Sequence, residues 1–217
     1  MGKLFVLEGT DGSGKSTQFR LLCAALEARG RAFRRVTFPR YDQDSSMLLR
    51  MYLRGDFGAH PGDVNPYAAS TFFAVDRYAS FKTDWGADYA CGVPVFCDRY
   101  TTSNAVHQAS KLPESEAAAF CDWLFHYEYD LLGLPRPTGV IFLDMPSELS
   151  FALLRARQGA SGDIHERDHA YLAECRRRAL WLCERCGWKR VSCGENGRVR
   201  TEEEIHRDVL AAVEELL

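Results

Sequence analysis

The chain has 217 residues, 46% hydrophobic and 26% charged, enough for one domain over 1–217 with a large core, and no Pro/Ser/Gly-rich linker divides it. With 27 basic against 30 acidic side chains the net charge is -3, which excludes a global basic field for holding DNA or RNA. No run of about 18 apolar residues occurs and no basic leader precedes the first strand, so a soluble cytoplasmic protein without membrane contact is expected.

Residues 3–7, an apolar run of strand length, lead into Gly9, Thr10, Asp11, Gly12, Ser13, Gly14, Lys15, Ser16 and Thr17. Residues 9–16 fit the phosphate-binding pattern G-x-x-x-x-G-K-[ST] without a mismatch. Behind it Phe19, Leu22, Cys23 and Leu26 recur on one face of a helix, and Gly30 is placed to stop that helix. Strand, glycine-rich loop and helix in this order suit a nucleoside triphosphate. The glycines let backbone N–H groups reach phosphate oxygens, and the helix start adds its positive dipole end. Lys15 then sets a point charge on the β and γ phosphates, and the Ser16 hydroxyl is a magnesium ligand.

A second strand is predicted over 33–38, ending at Pro39, Arg40 and Tyr41, where an open α/β sheet binds ligands. A short helix over 45–53, a loop over 55–66 and a long helix over about 67–90 follow, the last carrying Phe72, Phe73, Arg77 and Lys82. A third apolar run, 93–97, closes on Asp98, Arg99 and Tyr100. An acid directly after a buried strand beside a phosphate loop holds magnesium or its water shell, and the adjacent arginine reaches phosphate. The other duty open to Asp98 is to cap the helix that starts near Thr101.

Helical patterns run over 102–110 and 114–127, the second opened by Pro113. After the break at residues 134–137 a fourth strand over 139–143 ends at Asp144, a rival for the magnesium role whose place before Pro146 and Ser147 also suits a helix start. A helix over 147–157 runs out into the polar segment 158–163, which resembles a lid hinge. Residues 166–186 are amphipathic, with Arg176, Arg177 and Arg178 read as a solvated face. A fifth strand over 188–193, a loop over 194–197 and a helix opened by the capping box of Thr201 and Glu204 complete the chain. Five short strands alternating with helices imply a three-layer α/β/α fold around a five-stranded parallel sheet, with the ligand at one sheet edge.

Cys23, Cys97, Cys121 and Cys175 lie in apolar or helical patterns and read as small buried hydrophobes in a reducing compartment. Cys183 and Cys186 form a C-x-x-C, but no second such pair or close His pair accompanies it to make a zinc site.

The phosphate loop, Phe38-Pro39-Arg40, Phe73-x-x-x-Arg77, Asp98-Arg99-Tyr100, Leu134-Pro135-Arg136-Pro137 and a lid over about 155–168 follow one another across nearly the whole chain. In this the sequence resembles the thymidylate kinases. The resemblance implies a P-loop kinase fold with a lid, and magnesium-dependent transfer of the γ-phosphate of ATP to dTMP in what is usually a homodimer. It implies that Asp11 serves the sugar 3'-hydroxyl region near the magnesium-bound phosphate, and that Arg99 and Tyr41, beside Phe38, hold the acceptor phosphate. Phe73 would stack on thymine, Arg77 donate to a base carbonyl, and Ser103 and Asn104 line the same pocket.

Some members of that family carry a catalytic arginine in the phosphate loop just after the acid. Here that position is Gly12, so the lid must supply it from Arg155, Arg157 or Arg167, and Arg155 or Arg157 can instead lie over adenine. His107 stands where the family commonly has Tyr or Phe near the sugar 2' position, so weaker rejection of ribonucleotides is expected. Two alternatives remain open. A deoxynucleoside kinase needs a general base after strand two, where this chain has Pro39-Arg40-Tyr41. A nucleotide-binding switch module needs no base pocket and so no Phe73/Arg77 pair.

Overall fold

The structure is a computed structural model that describes residues 1–158 and 163–216, with the side chains of residues 157 and 158 outside the description. Its centre is a five-stranded sheet of β1 (Leu4–Gly9), β2 (Arg34–Thr37), β3 (Val95–Asp98), β4 (Gly139–Asp144) and β5 (Lys189–Ser192). The strand order is β2-β3-β1-β4-β5 and every pairing is parallel. β1 and β3 are buried along their whole length, as continuous apolar runs covered on both faces must be.

Side chains alternate between two cores. Leu4 and Val6 enter one with Val36, Cys97, Val140 and Phe142, whereas Phe5 and Leu7 enter the other with Phe96, Ile141 and Leu143. Each fully buried side chain of this size stabilises by roughly 1.5–3 kcal/mol, so the two-residue period alone fixes the register. Helices α1 (Lys15–Ala28) and α9 (Glu202–Leu216) cover the second core through Phe19, Leu22 and Leu26 on one side and Ile205, Val209 and Val213 on the other. Helices α5 (Thr101–His107), α6 (Glu114–Phe125) and α8 (His169–Cys186) cover the first.

The remaining elements build the rim above the strand ends. Helix α2 (Met47–Arg54) packs on α3 (Pro66–Ser80), and α7 (Ser147–Gln158) leaves β4. A small third core of Leu49, Tyr52, Leu53, Val64 and Ala69 takes in Ile164 and so pins the far end of the expected lid onto α2.

Several sequence expectations change in detail. The long helix over 67–90 is α3, a π-helical turn (Phe81–Trp85) and α4 (Gly86–Ala90) in succession. A second π-helical stretch (His126–Leu131) prolongs α6. The loop over 194–197 is a hairpin of β6 (Gly194–Glu195) and β7 (Arg198–Val199), turned by Asn196 and Gly197, both with positive φ. Arg178 is not solvated: it is buried over the Trp181 ring, while Arg176 is half-buried against Asp144. Arg177 alone fits the solvated reading, paired on the surface with Glu174 and Glu114. The hinge expected over 158–163 falls mostly on residues 159–162, outside the described residues.

Candidate active site

The register puts Leu7 of β1 and Thr37 of β2 level with Asp98 of β3, so the chain leaves three adjacent strands at one edge. The loop after β1 turns through Gly12 and Gly14, both at φ 79°, before α1 begins at Lys15. Only glycine adopts this conformation without strain. Gly12 has a second constraint: a Cβ there would lie 2.7 Å from both the carbonyl oxygen and the hydroxyl of Ser150 on α7. Ser150 closes the contact by donating to the Asp11 carbonyl at 2.5 Å. The Ser13 hydroxyl is buried, has no hydrogen-bond partner among the described residues, and lines the cleft, as a donor awaiting a phosphate oxygen does.

Lys15 and Asp98 are buried and paired through Nζ and a carboxylate oxygen. Burial pulls the Lys15 pKa down, the Arg99 charge adds to this, and Asp98 opposes it. Arg99 follows at φ 66°, a left-handed conformation that disfavours a side-chain-bearing residue by roughly 1–2 kcal/mol. What holds it there is visible. Its guanidinium pairs with Asp11 and lies 3.3 Å from His107 Nε2, which must accept, since arginine has no lone pair to offer. Burial pushes the Asp11 carboxyl up, but Arg99, followed by other nearby cations, outweighs this and holds it at about 2.

Behind these lies Glu8, fully buried at the end of β1 and accepting hydrogen bonds from Thr102 at 2.6 Å and Ser103 at 2.8 Å. Burial raises its pKa against the Arg99 charge and the two hydroxyls.

Beside Arg99 a cavity opens between α3, α5 and residues 163–165, lined by Phe38, Phe73, Arg77, Ser103, Asn104 and His107 among others. The side chains expected to hold a nucleoside therefore meet. Phe73 stands edge-on to Tyr52, with ring centroids 6.1 Å apart. Asn104 donates to the Ser70 carbonyl at 3.2 Å. Arg77 is buried and bound through Nε and Nη2 to both oxygens of Glu128, at 2.6 and 2.5 Å. Thr101 donates to the same carboxylate at 2.7 Å.

His107 is buried, with one side on the cavity. Its ring stacks on His165 with centroids 5.4 Å apart and planes 9° off parallel, and Nδ1 lies 3.5 Å from Cys175 Sγ. Burial and then the Arg99 charge lower its pKa to about 4. His165 is held in turn by the Tyr52 hydroxyl, 2.7 Å from Nε2.

The cavity and the cleft over the phosphate loop share Asp11, Phe38, Pro39, Tyr41, Arg99 and Asp163 as walls. Tyr41 is half exposed between them, and Arg40 is turned away onto Asp76 and Ser45. Ser16 and Asp98 face the cleft with oxygen donors. Two protein oxygens beside phosphates and water form the donor set magnesium prefers, so these residues fit the ion. Asp144, the rival, accepts from Arg176 at 2.7 Å and Arg190 at 2.8 Å, which makes it a structural anchor.

Of the lid arginines, Arg167 lines a recess with Tyr41 and Asp163 and donates to the Asp163 carbonyl at 3.2 Å. Arg155 is exposed on α7, and the Arg157 side chain lies outside the described residues. Three site residues escaped the sequence reading: Glu128, His165 and Gln108, whose buried carboxamide lines the cavity beside the Tyr52 hydroxyl. Gln108 had a local signal, falling one turn beyond Asn104 on the same helix stripe. Glu128 and His165 lie far along the chain and had none.

A sequence model described as thymidylate kinase matches residues 7–205. A thymidylate kinase of Mycobacterium tuberculosis is 35% identical over 170 residues, 76% of this chain and 78% of the relative. The human thymidylate kinase is 28% identical over 218 residues, 100% of this chain and 92% of its own length. A probable thymidylate kinase of Pyrococcus abyssi is 29% identical over 216 residues, covering 98% and 96%.

Proposed function

The chain belongs to the thymidylate kinase family, and on that premise we infer that it moves the γ-phosphate of ATP to dTMP, giving dTDP and ADP. One observation carries this reading. A cleft built on the phosphate loop and a cavity lined by base-reading side chains share the walls at Asp11, Tyr41 and Arg99, where a donor and an acceptor phosphate have to meet. Proximity of this kind supplies much of the catalysis in phosphoryl transfer.

The phosphate loop, residues 9–17, takes the triphosphate on its backbone N–H groups, with the Ser13 hydroxyl as a further donor. Lys15 turns from Asp98 to the β and γ oxygens. Magnesium bound by Ser16 and Asp98 would neutralise charge between those phosphates. Arg99 and Tyr41 hold the acceptor phosphate beside Phe38, and Asp11 meets the sugar. Phe73 stacks on the base while Arg77, Asn104 and Gln108 read its edge. The three lid arginines are the source of the charge that stabilises the transferring group. Gly12 supports that assignment physically, because Ser150 leaves no room for a side chain at the loop position. Arg167 is the first choice for its place beside Tyr41, with Arg155 and Arg157 left for adenine or for the same role.

The test is ADP release from Mg-ATP with dTMP, dUMP, thymidine or no acceptor at equal concentration. Preference for dTMP supports the reading, whereas activity on thymidine alone moves the chain to the nucleoside kinases. Against that rival, Pro39 and Tyr41 line the site just after β2, where such an enzyme needs a carboxylate. With His107 in place of a bulkier phenol, the dTMP to ribothymidylate ratio should rise on His107→Tyr; an unchanged ratio removes the sugar-selectivity role.

The reading includes a reducing compartment such as the cytoplasm, supported by eight free cysteines. It also includes a homodimer formed through α2 and α3, where Leu48, Val75 and Tyr78 leave apolar surface exposed. Val75→Arg should then give a monomer by light scattering.

A further inference from the structure

Two guanidinium groups line one cavity, and their charged partners do not overlap. Arg99 faces Asp11 and His107, while Arg77 faces Glu128 and the Tyr100 carbonyl. A nucleoside monophosphate carries a dianionic group that either arginine could attract. The chain therefore needs a physical reason for the phosphate to choose Arg99 and the base to choose Arg77.

We propose that Glu128 is a positioning residue that supplies this reason, by cancelling the charge of Arg77 and fixing its plane so that this side of the cavity takes an uncharged carbonyl-bearing base. The inference rests on the dTMP reading above. Glu128 is completely buried and gives both oxygens to Arg77, so the pair is neutral where it meets the ligand. Among the described residues, three of the five N–H groups of Arg77 have partners, the third being Nη1 to the Tyr100 carbonyl at 3.5 Å. What remains are N–H donors in a fixed plane. Fixed donors accept a base carbonyl and reject an amino group in its place, because that group would leave buried N–H unpaired.

Arg99 is arranged differently. Its carboxylate partner, Asp11, is partly exposed and also borders the phosphate cleft, so an incoming phosphate competes for the guanidinium. Thr101 donates a further hydrogen bond to Glu128 at 2.7 Å and so holds the carboxylate in place against Arg77. The carboxylate comes from the π-helical stretch after α6, whose wider turn is a common device for aiming one side chain at a site.

The deciding experiment is steady-state kinetics of Glu128→Gln with inorganic phosphate as the added probe. The amide keeps the shape but leaves the Arg77 charge uncancelled. KM for dTMP should rise at least about tenfold while KM for ATP stays within about twofold. Phosphate should become a competitive inhibitor against dTMP at concentrations that leave the wild type unaffected. An unchanged KM for dTMP, or equal phosphate inhibition of both proteins, overturns the proposal and leaves Glu128 as an ordinary core ion pair.

Should Glu128→Gln not fold, the pair Arg77→Met/Glu128→Leu removes both charges and keeps the volume. It should lose the preference for dTMP over dCMP without gaining phosphate inhibition, and a retained preference overturns the proposal. A wild type without dTMP-dependent ADP release would instead remove the function proposed above. Calorimetric phosphate binding to wild type and Glu128→Gln still decides the role of Glu128 in that case.

Discussion

Arg77–Glu128 and Arg99–Asp11 are the same chemical pair in two settings. The first is sealed, with side chains 2% and 0% exposed, and the second is open to the cleft at 17% and 20%. Sealing decides what each can do. A pair sealed this far exchanges a partner only when another charge takes the place of the one lost, because either ion left alone in low dielectric is strongly unfavourable, so without such a charge it serves to hold a geometry. A partly exposed pair opens onto the cleft, where water or an incoming phosphate can replace the lost carboxylate, so a phosphate can take its place. Lys15–Asp98, at 9% and 8%, lies between them and sits on the phosphate loop itself.

Mutations that open or remove these pairs separate the two behaviours. The largest effect is expected from Lys15→Ala, which should lower turnover by at least about 10² to 10³, the range for removing a preorganised charge from a transition state. Retention of most activity in the folded variant would take Lys15 out of the chemistry.

Next, Glu128→Ala should destabilise by about 3–5 kcal/mol, the cost of stranding a buried charge. Asp11→Ala should destabilise by less than this, because the Arg99 it strands keeps access to water in the cleft, while damaging dTMP use. Equal midpoint shifts in urea would show that burial is not what distinguishes the pairs.

A third prediction concerns His107, which neighbours the open pair. Its folded pKa of about 4 lies below the ordinary 6.5, so between these values the unfolded chain binds the proton that the folded chain refuses. Stability is therefore lost as pH falls from about 6.5 to about 4, by up to about 3 kcal/mol for this group. In His107→Phe that share of the slope should vanish; an identical slope would assign the acid sensitivity to other groups, His165 first. The smallest effect belongs far from both pairs. Thr201→Ala removes a capping box whose hydrogen bonds measure 3.0 and 3.3 Å, and should cost about 1 kcal/mol with kinetics unchanged.

The open pair was legible in the sequence and the sealed one only by half. Asp11 and Arg99 each sit just after an apolar strand, and a parallel sheet brings such positions together whatever else the chain does. Arg77 was named through a resemblance, but its partner Glu128 lies 51 positions away, and no local pattern reports a contact of that range. Arg178 failed for a related reason. Three consecutive arginines look solvated by composition, yet a helix turns one of them inward, where Trp181 accepts the cation on its face. The hairpin at 194–199 carried the Asn-Gly turn signal, and its two-residue strands were too short for the alternation that would have confirmed it. By contrast, Thr201 and Glu204 form the expected box because capping is settled within four residues.

The contact over Gly12 also bears on how this chain can evolve. An arginine at that position would need a left-handed backbone and a Cβ placed 2.7 Å from the backbone oxygen of Ser150. Truncating Ser150 removes its hydroxyl but leaves that oxygen, so no substitution at Ser150 alone makes room for a side chain at position 12. With Ser150 closed over the loop, position 12 is held to glycine by its neighbour's backbone as firmly as by its own φ.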